Sequence, residues 1–215
     1  MRYLNRILFL IIISLLVSCS SVEIEKYPDG TIKSEVQIKK GKKNGLAKYY
    51  YSNGKPQLIM NYVDDRLDGL YEKFAFNGLK TETTMYSNGL KNGESKEFDE
   101  FGNLKISVFY LNDTIHGEFK EYYSNGQIRV SGHYNHGMYD GKWNYYDAGG
   151  MKVGYADFNN GTGKQFALYN GSNRIKTEVT YVANLKDGDE IWYDIEGNIE
   201  KKTTFSKGKI VTNEK

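Results

Sequence analysis

Hydrophobic and polar residues alternate with a period of two along most of this chain. Ile128, Val130, Gly132 and Tyr134 fall on one side, while Gln127, Arg129, Ser131 and His133 fall on the other. Leu104, Ile106, Val108 and Tyr110 repeat the pattern one period earlier. Such alternation marks half-buried strands. No window after the first 18 residues sustains a 3.6-residue apolar period, so no helix of note is predicted.

The strands recur on a 24-residue clock. Gly45, Gly69, Gly93, Gly117 and Gly141 are evenly spaced, and Gly30, Gly54, Gly78, Gly102, Gly126 and Gly150 keep the interval nine residues out of phase. Tyr62, Tyr86, Tyr110, Tyr134 and Phe158 form an aromatic phase, and Tyr50, Phe74, Phe98, Tyr122 and Tyr146 form another. Four phases in step over several periods identify a repeat array. Each unit holds two turn signals, Asn125-Gly126 and His136-Gly137 in the cleanest copy, so each unit is two strands and two turns. Asn-Gly suits the left-handed dihedrals of a two-residue type I′ hairpin.

Counting back from such a turn places Tyr134 opposite Gly117. A glycine there leaves backbone for the ring to shield, a pairing that stabilises glycine in a sheet. Gly188 with Phe205 restores the slot near the C-terminus. Asn44, Asp68, Asn92, His116, Asp140 and Asp187 precede these glycines, and their tolerance of positive φ points to a bulge or a local twist there. The clock slips once, between Phe158 and Gly163, where five residues replace the usual seven; the next unit is 25 long. The slip reads as drift, with a change in twist or a bend near Asn159–Gly163 as the alternative.

The first 18 residues stand apart. Arg2 and Arg6 precede Ile7–Val17, an apolar run broken only by Ser14, which has the form of a signal-peptide core. It ends in Leu16-Val17-Ser18-Cys19, which resembles the lipobox of bacterial lipoproteins. The resemblance implies cleavage before Cys19 and acylation of its thiol, the only one in the chain. Several acyl chains on one residue anchor a protein stably where one alone is marginal. Ser20 and Ser21 follow without an Asp, which in lipoproteins of this type implies the outer membrane of a bacterial envelope. Cleavage removes two arginines from the 29 basic residues and leaves them equal to the 27 acidic ones. That balance gives no general attraction to nucleic acid or to anionic lipid.

The pattern Gly-x-x-x-x-Tyr-x-x-Asn-Gly followed by Tyr-x-x-Gly resembles the MORN-repeat variant of bacterial proteins, including the YwqK-type antitoxin family. The resemblance implies an all-β fold: an elongated array of antiparallel β-hairpins forming a twisted, single-layer sheet. The expected organisation is a signal peptide over 1–18, a lipidated Cys19 with a short tether over 19–26, repeats over 27–208 and a tail over 209–215. The resemblance also implies a protein partner, which for the antitoxin members is a toxin.

Chemistry is sparse. His133 and His136 lie three apart with no third ligand fixed by spacing, and His116 and His136 fill slots that hold Asn or Asp elsewhere. Asp64, Asp65 and Asp68 read as a solvated turn. No nucleophile elbow, Walker loop or zincin motif occurs. Like residues are distributed along the chain rather than unlike ones gathered at one point. The chain is therefore expected to be non-enzymatic, with no cofactor and no metal.

Both aromatic rows could line a groove, although in a thin sheet the periodic rings are expected to be core. Aromatic residues off the clock are the better candidates for contact: Tyr49, Tyr51, Tyr123, Tyr139, Trp143, Tyr145 and Trp192. Three functions fit this reading. One is a lipid-anchored envelope protein that binds or scaffolds a protein partner. The others are an immunity protein neutralising one toxin, and a surface lipoprotein binding glycan or peptide.

Overall fold

The computed structural model describes residues 20–214. The predicted signal peptide and the lipobox residues Leu16, Val17, Ser18 and Cys19 lie outside them. Seventeen strands follow one another. They are β1 (Ser20–Lys26), β2 (Ile32–Lys39), β3 (Lys42–Tyr50), β4 (Pro56–Val63), β5 (Arg66–Phe74) and β6 (Lys80–Ser87). Next come β7 (Leu90–Phe98), β8 (Leu104–Leu111), β9 (Thr114–Tyr122), β10 (Ile128–Asn135), β11 (Met138–Tyr146) and β12 (Lys152–Asn159). The series ends with β13 (Thr162–Leu168), β14 (Ile175–Val182), β15 (Leu185–Tyr193), β16 (Ile199–Ser206) and β17 (Lys209–Glu214). Each pairs antiparallel with the next, giving one open, twisted sheet of hairpins with no helix among the described residues.

The array is wider than the glycine clock. Residues 20–26, expected as a tether, form β1, paired with β2 from Ser20–Lys39 to Lys26–Ile32. The expected tail contains β17, paired with β16. Neither strand carries the periodic glycine or ring, so the pattern could not find them.

Two kinds of turn alternate. From each even-numbered strand to the next the turn has two residues, both at positive φ, as at His136 (47°) and Gly137 (82°). These are type I′ hairpins, whose twist matches that of the strands. The Asn125-Gly126 slot differs from expectation. Only Gly126 has positive φ (83°). Its N–H donates to the Tyr123 carbonyl (2.9 Å), and the Tyr123 N–H donates to Gln127 O (2.9 Å). This is the longer loop in which a glycine in the left-handed region completes a bulge. Asn125 serves through its side chain instead: Oδ1 accepts from the Gln127 N–H (3.0 Å) and Nδ2 donates to Ala148 O in the next unit (2.9 Å).

The predicted register holds: Gly117 faces Tyr134, as Gly45 faces Tyr62 and Gly188 faces Phe205. The reason for the glycine is different. Gly117 sits at φ +95°, where an L side chain is strained, and a Cβ there would meet Phe109 Cβ at 3.4 Å rather than the ring of Tyr134. The strain comes from the predicted bulge. In the β10–β11 hairpin His133 pairs with Asp140 but Ser131 pairs with Asn144, so Gly141–Trp143 together oppose Gly132. The residues before the glycines are not themselves at positive φ. Four of their side chains accept the N–H of the next turn, Asp68 from Asn88 (3.0 Å), His116 from His136 (3.3 Å), Asp140 from Asn160 (3.1 Å) and Asp187 from Lys207 (3.4 Å), while Asn44 donates to Asp64 (3.3 Å).

The slip at Phe158–Gly163 is not drift but a local change in the ladder, the loss of a bulge and of the twist it adds. β12 and β13 pair without a register shift through Asp157–Lys164, Phe158–Gly163 and Asn159–Thr162. The two missing residues are the bulge. The extra residue of the following unit lies in the turn closed by the Tyr169 N–H on Arg174 O (3.0 Å).

A single cross-strand row forms the centre of one face. It runs Val36, Ala47, Met60, Tyr71, Thr84, Ser95, Val108, Phe119 and Gly132 through successive pairs. It continues through Trp143, Ala156, Gln165, Val179, Glu190 and Thr203. Small residues are interspersed with large ones, as Ala47 lies between Val36 and Met60 and Ala156 beside Trp143. Ala47 and Thr84 are 0% exposed and Trp143 only 3%. Without a second layer, this row is the core.

Candidate functional site

Strand alternation assigns the two periodic aromatic rows to opposite faces, so they cannot line one groove. Tyr62, Tyr134 and Phe158 pack with the central row, which we call the inner face. Tyr50 shares its parity with Lys48, not with buried Ala47, and so belongs to the outer face. Burial of the inner rings acts on their hydroxyls. It pushes the Tyr62, Tyr71 and Tyr86 hydroxyls above their ordinary pKa, and raises Tyr134 and Tyr145 further.

Most of the off-clock aromatics hold the sheet together. Trp143 is buried between Phe119 (ring centroids 5.7 Å) and Tyr134 (5.1 Å), with its Nε1–H unpartnered. A Cβ at Gly132 would run into its indole ring. That off-clock glycine is therefore the seat of the tryptophan, and no spacing rule pointed to it. Tyr139 and Tyr145 pack on the same cluster, and Tyr49 packs on the one around Val36, Ala47 and Met60. Tyr51 and Tyr123 donate their hydroxyls to the Phe74 and Tyr146 carbonyls of the next unit (2.8 and 2.9 Å). Tyr27 and Tyr169 make the same bond to Tyr50 and Tyr193 (both 2.7 Å). Of the seven candidates, Trp192 alone stands where the central row turns polar, half-exposed opposite Thr177 and Lys201.

Residues missed in the sequence occupy the outer face. Leu46, Leu70, Met85 and Phe109 are 37–45% exposed there, and Leu70 pairs directly with Met85. Met85 and Phe109 also cover glycines: a Cβ on Gly93 would lie 2.9 Å from Met85 Cβ, as the Gly117 position abuts Phe109. The signal available was their outward parity, next to the slot glycine or the periodic tyrosine. Ion pairs frame them, Lys80–Glu72 (2.6 Å) and Lys96–Glu94 (2.7 Å) among them. Glu35 accepts from the Tyr50 hydroxyl (2.8 Å); burial first, and this bond second, push that hydroxyl up to about 12.

The three histidines gather at one spot, His116 lying 4.8 Å from His136 and 6.1 Å from His133 between ring centroids. His116 Nδ1 accepts from the His136 N–H (3.3 Å), the bond its slot makes through Asp68 and Asp140 elsewhere. No group of three or more His, Cys, Asp or Glu among the described residues is placed to hold a metal ion. A cavity of about 750 Å³ opens at the turn edge beside Arg174, Tyr193 and Ile195, where the longer turn widens the gap.

Three segments match the model of the MORN repeat variant: residues 43–64, 91–112 and 115–136. Each is a hairpin from an odd-numbered strand to the next, closed by the longer loop. These three hairpins are similar to that repeat. The hairpin between residues 66 and 88 keeps the same register outside the matched segments. Repeats of this type are consistent with binding or scaffolding. No curated protein matches the chain.

Proposed function

We propose that this chain is a non-enzymatic protein of the bacterial envelope, held at the membrane by acyl chains on Cys19, and that it binds a protein partner through its outer face. The exposed apolar group Leu46, Leu70, Met85 and Phe109 carries the reading. The inner rings are spent on packing, whereas these side chains are solvated and framed by ion pairs. An apolar centre with a charged rim is the anatomy of a protein interface. The Leu-Val-Ser-Cys ending of the leader supports the anchor, and the outer membrane is the proposed address.

A photo-crosslinking residue at Leu70, in the lipidated protein in its native membrane, tests the interface. A single discrete adduct from position 70, absent from a probe at Trp192, is expected. Adducts from Trp192 with none from Leu70 would move the binding site to the inner face. The partner's chemistry would separate scaffolding from neutralisation of a toxin.

A further inference from the structure

β1 begins at Ser20, directly after the lipobox cysteine, and Ser20 pairs with Lys39 at the end of β2. Lys39 in turn pairs with Lys42 across the first type I′ turn, Lys40-Gly41. Ser20, Lys39 and Lys42 therefore stand side by side on three neighbouring strands, within about 10 Å at the usual strand spacing. Lys39, Lys40 and Lys42 are all exposed. No ion pair engages any of them among the described residues, whereas Lys43 is drawn inward, 5.3 Å from the Tyr62 ring centroid. The next turn along this edge is acidic: Asp65 accepts the Lys43 N–H (2.8 Å), and Asp64 bonds Asn44. The acidic turn thus sets Lys39, Lys40 and Lys42 apart at the end of the edge where the chain leads toward its apolar leader, with a second basic pair, Lys207 and Lys209, at the far end.

We propose that Lys39, Lys40 and Lys42 form a contact surface for an anionic lipid bilayer, pressing this end of the array onto the membrane that holds Cys19. The inference rests on the anchor reading above. With no tether between the acylated residue and β1, the three ammonium groups cannot leave the reach of the surface potential, which falls off over about 10 Å at 0.1 M salt. Acyl chains fix attachment, and the lysines fix orientation. A formally neutral mature chain gains this local attraction because its charges are segregated rather than in excess.

The test uses the lipidated full chain with vesicles of phosphatidylcholine alone or containing phosphatidylglycerol. Flotation and the amine reactivity of each lysine are read by mass spectrometry. Lys207 and Lys209 are the internal control, on the far turn roughly 65 Å along the sheet at about 4.8 Å per strand. Flotation with both vesicles is expected, with Lys39, Lys40 and Lys42 protected about fivefold or more in the anionic ones only. The protection should vanish at high salt while flotation persists. Flotation with equal reactivity in both vesicles would overturn the lysine surface and leave the anchor standing. Flotation only with anionic vesicles, lost in a Lys39→Gln, Lys40→Asn, Lys42→Gln variant, would support the surface and overturn the anchor. Failure to float with either would overturn both.

Discussion

The central row of the inner face is packed in two ways. Around β9–β12 it is aromatic: Phe119 and Trp143 meet over Gly132, with Ala156 beyond. At β6–β7 the same row is a pair of buried hydroxyls, Thr84 and Ser95, 2.7 Å apart. Thr84 is 0% exposed and Ser95 5%. Thr84 donates to Glu82 (3.0 Å), so Ser95 donates to Thr84. The backbone is nearly identical in the two regions, down to the bulge and the residue opposite the slot glycine. The repeat therefore dictates the ladder, while volume and polarity in the row are settled locally between neighbours. The aromatic region draws on area removed from water, and the hydroxyl region on keeping polar atoms satisfied.

The largest effect expected from breaking this contrast is at Trp143. Trp143→Ala removes a nearly fully buried ring and should cost roughly 3–5 kcal/mol. Hydrogen exchange should then rise across β10–β12 and leave β6–β7 unchanged, since contacts in an array are with neighbours. Thr84→Ala removes the acceptor of the Ser95 hydroxyl and should cost about 1–3 kcal/mol in urea titration. The double change Thr84→Val with Ser95→Ala should recover most of that loss, because neither hydroxyl is then left unpaired. Tyr123→Phe deletes one bond between units and should cost about 1 kcal/mol, without altering the strand content seen by circular dichroism.

The smallest effect is invisible at neutral pH. Tyr134 and Tyr145 have hydroxyls raised above their ordinary value of 10.0, chiefly by burial. The folded state then holds protons that the unfolded state releases. This contribution is complete below pH 10 and is lost as pH climbs past it. Exchange at alkaline pH should rise first in β10–β12. Equal loss in the hydroxyl region, where the Tyr71 and Tyr86 hydroxyls are raised less, would contradict the assignment.

The architecture was legible because a glycine at positive φ and a ring opposite it have to recur wherever the hairpin recurs. The strands, the hairpin order and the Gly117–Tyr134 register follow from that spacing. What the spacing could not show is what depends on neighbours across strands. Gly117 proved to be needed for its backbone conformation, and Gly132, which is not on the clock, for the space it leaves to Trp143. Asn125 proved to be a side-chain bridge to Ala148 rather than a left-handed residue. Tyr51 and Tyr123 look free in sequence because their acceptors are carbonyls in the following unit. The exposed outer group was hidden for the opposite reason. Leu70 and Met85 look like ordinary strand hydrophobics until bulge and parity assign them to the solvated side.

The central claim is that the inner aromatic face is packed core and the outer apolar group is free. Hydroxyl-radical footprinting of the full lipidated protein tests it most directly, because tryptophan and methionine are both intrinsically reactive. Rapid oxidation of Met85, with Trp143 protected far below Phe101, which is 73% exposed, is the predicted result. Trp143 oxidised as fast as Phe101, with Met85 shielded, would contradict the account.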